Sequence, residues 1–206
     1  ERFKWLSAQN INIGLAPCSA MRVNFVGELG WELHHPIEYQ NHIFDQLMEA
    51  GKEFGLKPYG IRAMNSLRVE KSYKLVGTEL SIEYSPYESG LDRFVHPNKG
   101  DFIGRAALDK WRAKGFSNKL VTMEIHGVTD ADVLGNNPIY DNGSVVGRAT
   151  SGDFGFRLNK SIALGMIKPE LAKVGQKLKI DILGKMHEAS IVEESPYDSE
   201  NKLLRA

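Results

Sequence analysis

Arg22-Val23-Asn24-Phe25-Val26-Gly27-Glu28-Leu29-Gly30-Trp31-Glu32 sets two carboxylates, two glycines and two aromatic rings inside one short run. Read by alternation, Met21 to Val26 is a strand, Gly27 to Gly30 a turn, and Trp31 to His34 a second strand. Glu28 falls in the turn, where water solvates it. Glu32 follows Trp31 between apolar neighbours, where an unpaired carboxylate is expensive to bury. If it is inside it needs a partner: an arginine such as Arg62 or Arg68, or a ligand donating two N–H groups. The residues alone favour the internal salt bridge, because buried carboxylates are mostly paired within the protein.

Outward from this run the period changes. Ile43, Phe44, Leu47 and Met48 recur at helical spacing, so Glu38 to Phe54 reads as a helix with Gly55 as its stop. A second helix is expected from Ile61 to Tyr73, with Ala63, Leu67 and Val69 inward. A third runs from Gly104 to Lys114, with Ala107, Leu108 and Trp111 on one face. Gly115 to Asn118 is a linker, and alternation returns beyond it: Leu120 to Ile125, Pro138 to Tyr140, Val145 to Gly147, Ser161 to Ile167, Leu178 to Ile182 and His187 to Val192. Asn142-Gly143 between two of these runs is a strong hairpin signal, since both central residues of a type I′ turn need positive φ. The fold class expected is α+β, with an α+β part over residues 1–114 and a small all-β barrel or sandwich over residues 115–206.

Composition narrows function by exclusion. The 206 residues carry 26 Lys+Arg against 26 Asp+Glu, which leaves no global basic field for nucleic acid or an anionic membrane. No apolar run is long enough to span a bilayer. The one cysteine, Cys18, has no disulfide partner and no zinc-ligand company. His34 and His35 are strand neighbours that point to opposite faces, so no metal site is expected. Asp153-Phe154-Gly155 spells a kinase magnesium motif without its glycine-rich loop and reads as a turn. The chain opens on Glu1-Arg2-Phe3, without a Met or a targeting segment, and reads as a piece of something longer. A soluble intracellular protein is expected, cytoplasmic, or in the mitochondrial matrix if eukaryotic.

Several blocks in order resemble one family. They are the Arg22–Glu32 run; Asn65-Ser66-Leu67-Arg68-Val69-Glu70; Ser85-Pro86-Tyr87-Glu88-Ser89-Gly90-Leu91; Asp101-Phe102-Ile103-Gly104-Arg105-Ala106-Ala107-Leu108; and Ala149-Thr150-Ser151-Gly152 with Ser161-Ile162-Ala163-Leu164-Gly165. Together they resemble the glycine-cleavage T-protein (aminomethyltransferase) family. The wording from Gly27 to His34 and from Leu67 to Lys71 looks most like the folate-binding part of dimethylglycine and sarcosine dehydrogenases. That resemblance implies a ferredoxin-like T-protein folate-binding domain, incomplete at its N-terminus, followed by a C-terminal β-barrel.

The resemblance also implies a ligand, tetrahydrofolate. A reduced pterin offers its 2-amino group and N3–H side by side, and one carboxylate accepts from both; the family glutamate matching Glu32 does this. Phe25 stands where the family usually has a pterin-packing tyrosine, keeping the ring and losing the hydroxyl. Trp31 and Tyr73 complete the implied folate-binding set. Met64 stands where the T-protein proper has a folate-contacting arginine. The family's essential aspartate matches no residue here and is expected upstream, so this chain supplies no catalytic residue. An upstream flavin (FAD) domain would oxidise an N-methyl amine, and enclosing the reactive iminium would protect it from water. The alternatives are a stand-alone T-protein working without flavin, and a non-catalytic folate-binding module.

Overall fold

The computed structural model describes residues 3–128 and 130–205. They divide into two compact units: one reaches to Met64 and takes in the segment from Glu200 onward, and the other spans Asn65–Ser199.

The first unit is built on an antiparallel sheet of β1 (Ala8–Ile13), β2 (Ala16–Met21) and β3 (Glu32–His34), in the order β1-β2-β3. β2 is a strand that alternation did not single out. Its Pro17 pairs with Asn12 of β1, while β3 reaches only Ser19 to Met21, so the proline lies where no third strand needs its missing N–H. The β1–β2 turn places Gly14 at φ +58°, and a Cβ there would lie 2.6 Å from His42 Nε2. The adjacent Leu15 N–H donates to that same nitrogen at 3.1 Å, which ties the turn to α1 (Gln40–Ala50). The long helix expected over 38–54 is three pieces: α1 flanked by 3-10 turns at Ile37–Tyr39 and Lys52–Phe54. Gly55, at φ +67°, ends the last of them.

The strand expected from Met21 to Val26 does not form. Asn24 is the cause: its Oδ1 accepts from the N–H groups of Val26 and Gly27 at 3.0 and 2.7 Å, and its Nδ2 donates to the Glu28 carbonyl. These local bonds consume the donors that a ladder would have used. Residues 22–31 are therefore a braced loop between β2 and β3.

α2 (Ile61–Glu70) stops short of Tyr73. Ser72 takes φ +55°, and the Lys71 and Tyr73 N–H groups both fold back to the Arg68 carbonyl, an ordinary left-handed helix ending. Of the inward residues expected, Val69 is buried, Leu67 is half-buried and Ala63 is exposed. α3 (Arg105–Lys114) buries nothing completely; Ala107 is exposed, while Leu108 and Trp111 are half-buried. A last short helix, α4, is Lys202–Arg205.

The barrel comprises β4 (Lys119–Ile125), β5 (Pro138–Asp141), β6 (Ser144–Gly155), β7 (Lys160–Ile167), β8 (Lys177–Ile182) and β9 (Lys185–Val192). It is closed in the order β4-β7-β6-β5-β8-β9, with β4 pairing to β9. Asn142 and Gly143, at φ +46° and +80°, make the expected tight turn between β5 and β6. Met123, Ile139, Ala149, Ala163, Ile167 and Ile180, all fully buried, centre the core. β6 carries a bulge between Ala149 and Ser151, and it runs on through Asp153-Phe154-Gly155, which is strand rather than turn.

Candidate functional site

In the first unit, strand alternation sorts polar from apolar side chains. Ala16, Cys18 and Ala20 of β2 are buried, whereas Asn10, Asn12, Glu32 and His34 are exposed. Ser19 lies opposite both Asn10 and His34, and these residues with Pro17 and Pro36 line an open groove of about 510 Å³. Its size falls within the ~300–1,000 Å³ of small-molecule sites.

Glu32 lies two residues from His34 on that strand, opposite Met21. Its carboxylate is 3.4 Å from His34 Nε2, and both side chains are about half exposed. The internal salt bridge favoured for Glu32 is thus not made. No desolvation cost called for it, since about half of the Glu32 side chain is exposed. Arg68 is engaged elsewhere, as described below, and Arg62 is exposed.

Trp31 precedes Glu32 directly and is 45% exposed. Its ring meets Phe3 edge-on at 6.1 Å, and the buried Arg22 guanidinium lies 6.0 Å from its centroid. Arg22 itself donates to the Phe3 carbonyl at 2.6 Å. Phe25 is half-buried in the loop that Asn24 braces. Three expected ligand-binding residues thus share one loop-and-strand segment. Asn24, which holds that loop, was missed; its signal was an Asn three residues before a glycine, a frequent local turn former.

Tyr73 belongs to the second unit. Burial raises its phenol above the ordinary tyrosine range; Arg93 opposes the shift and Asp198 adds to it. Around it runs a buried polar core made by several of the sequence blocks singled out above. Arg68, 2% exposed, donates to Asn65 Oδ1 through Nε and Nη2 and to the Tyr73 carbonyl through Nη1. The buried Glu79 carboxylate stands 3.8 Å from Arg68 and accepts from the Leu75 N–H and from Ser151 Oγ. Desolvation lowers the Arg68 pKa, and the charges of Glu79 and Asp153 offset part of that. Glu70, fully buried, accepts from the Arg157 side chain and backbone N–H. Arg157 also lies 3.8 Å from the Tyr197 ring centroid. Glu88 caps Ser85 and Asn118 in the same manner. These charged residues hold structure, and solvent reaches little of them.

A small antiparallel sheet displaying a half-exposed glutamate, followed in sequence by a closed six-stranded barrel, is an aminomethyltransferase-like architecture. The crystal structure of glycine cleavage system aminomethyltransferase T from Bartonella henselae matches it with a TM-score of 0.84 at 21% identity, over 96% of this chain and 54% of that one. At the level of sequence, the GCVT N-terminal domain matches residues 1–99, and the glycine cleavage T-protein C-terminal barrel domain matches residues 118–198. The chain belongs to the glycine cleavage T-protein (aminomethyltransferase) family. It is 39% identical over 193 residues to human mitochondrial dimethylglycine dehydrogenase, covering 93% of this chain and 22% of that protein. It is 37% identical over 175 residues to an aminomethyltransferase of Desulfitobacterium hafniense, covering 85% of this chain and 47% of that protein. The chain therefore spans about a fifth to a half of the length of these relatives. No helix among the described residues is long and apolar enough to cross a membrane.

Proposed function

We propose that this chain is the tetrahydrofolate-binding, C-terminal part of an aminomethyltransferase-like domain, one that captures a one-carbon unit as 5,10-methylene-tetrahydrofolate during oxidative demethylation of dimethylglycine or sarcosine. The observation that carries the reading is Glu32: an accessible carboxylate at the start of an open strand, with Trp31 beside it and Phe25 in the adjoining loop. A carboxylate so placed has no structural duty to desert, and its two oxygens match the paired donors of a reduced pterin. Tetrahydrofolate supplies the nucleophilic nitrogen that takes the one-carbon unit; the protein's part is to bind, orient and exclude water. In this reading residues 1–114 serve folate binding and residues 115–206 form the barrel. A flavin (FAD) domain of the same protein is the partner that oxidises the N-methyl amine, and the location is the cytoplasm or the mitochondrial matrix. Identity to dimethylglycine dehydrogenase over nearly the whole chain supports this branch over a stand-alone T-protein.

Glu32→Gln tests it. The amide loses the charge and turns an N–H toward a donor, so tetrahydrofolate affinity of the protein should fall about 10- to 100-fold. The melting temperature should hold, because the ion pair lost is the half-exposed one to His34. Unchanged folate affinity, measured by calorimetric titration, defeats the assignment.

A further inference from the structure

One end of the barrel carries a second cavity, within the Asn65–Ser199 unit, of about 300 Å³. Val128, Asp130, Ala131, Asp132, Phe154 and Ser161 line it. Ser161 stands in the ladder between Phe154 of β6 and Ile125 of β4. By alternation it shares a face with Ala163 and Ile167, which belong to the interior core, so its side chain is on the inward face near the start of β7.

Two independent observations meet there. First, Ser161 is only 5% exposed, and its Oγ has no hydrogen-bond partner. Leaving a buried hydroxyl unpaired is costly, so something other than the described protein groups is expected to satisfy it. Second, the rim carries two carboxylates, Asp130 and Asp132, and no basic residue lines the cavity among the described residues. Asp130 already draws an ammonium, Lys185 Nζ at 3.7 Å, in a pair whose side chains are about 70% exposed and so readily exchanged. Val128, Ala131 and Phe154 supply the apolar part of the lining.

The wall is held firmly. Phe154 stacks edge-on with Phe156 at 5.1 Å, its carbonyl accepts from Ser66 Oγ at 2.6 Å, and its N–H donates to Asp153 Oδ1 at 2.9 Å. A pocket of this volume sits at the small end of ligand sites and suits a compact molecule.

The geometry points to a binding site for a small protonated alkylamine at this end of the barrel: an N–H donates to Ser161 Oγ, alkyl groups pack on Phe154, Val128 and Ala131, and Asp130 and Asp132 supply the opposing charge. The face of an aromatic ring beside carboxylates is a usual environment for such cations. The site owes nothing to Glu32 and stands or falls separately from the folate reading.

Titrating the 206-residue protein with tert-butylammonium chloride, against tert-butanol as its neutral isostere, tests the inference by amide NMR. Saturable shifts at Ala131, Phe154 and Ser161 are expected with the ammonium, and tert-butanol should bind at least about tenfold more weakly. Ser161→Ala should weaken ammonium binding roughly 3- to 10-fold while leaving the melting temperature equal or higher, since it removes an unpaired hydroxyl. Asp132→Asn should weaken it as well and flatten its dependence on salt. No saturable shift at these residues, equal binding of tert-butanol, or a Ser161→Ala protein that binds as before would each overturn the site and leave Ser161 to water alone.

Discussion

Removing Glu79 tests whether the buried polar core organises this protein. Glu79 is fully buried, and three groups depend on it: the Arg68 guanidinium at 3.8 Å, the Leu75 N–H and the Ser151 hydroxyl. Glu79→Leu leaves an arginine charge 2% exposed without its principal counter-ion, because arginine does not shed its proton in proteins. Breaking a buried pair from one side costs about 3–5 kcal/mol, a large share of the ~5–15 kcal/mol that holds a typical domain. For a chain of this length that corresponds to a fall in melting temperature of about 6–20 °C. The double variant Glu79→Leu with Arg68→Met removes both charges and should regain most of the loss, as replacements of whole buried ion pairs do. The assay is urea unfolding of the four proteins of a double-mutant cycle. A single-variant cost below about 1 kcal/mol, or a double variant no better than the sum of the singles, refutes the reasoning.

Two further predictions concern Tyr73 and the loop that carries Phe25. Burial raises the Tyr73 pKa, so the unfolded chain releases this proton first and binds fewer protons than the native state. The contribution of Tyr73 is intact below the ordinary tyrosine value of about 10 and is lost as pH climbs from there through the native value. Tyr73→Phe should therefore show a shallower alkaline decline in unfolding free energy; an identical decline rejects it. Asn24→Ala removes the acceptor that holds the Val26 and Gly27 N–H groups. Hydrogen exchange at those two amides should quicken about fivefold or more, and unchanged protection would mean that the loop holds without Asn24.

The barrel was legible because alternation and turn chemistry are local. Six runs of period two were visible between Leu120 and Val192, and Asn142-Gly143 announced its own turn through the positive φ that both residues adopt. Several side chains of the blocks that carried the family resemblance meet specific partners: Asn65 bonds Arg68 and Asp153, Ser66 the Phe154 carbonyl, Glu70 Arg157, and Ser151 Glu79.

What those partners are, only the tertiary structure decided. Ser151 meets Glu79 across 72 residues and Arg157 meets Glu70 across 87, distances along the chain that no local pattern spans. The same holds for burial. From sequence, Glu32 between apolar neighbours read as an interior carboxylate wanting an arginine, and the truly interior carboxylates, Glu70, Glu79 and Glu88, gave no sign of it. Period and turn residues are written in neighbouring positions, so the chain determined its elements. Whether a charge lies in water or in the core depends on which elements close over it, and that is a property of the fold.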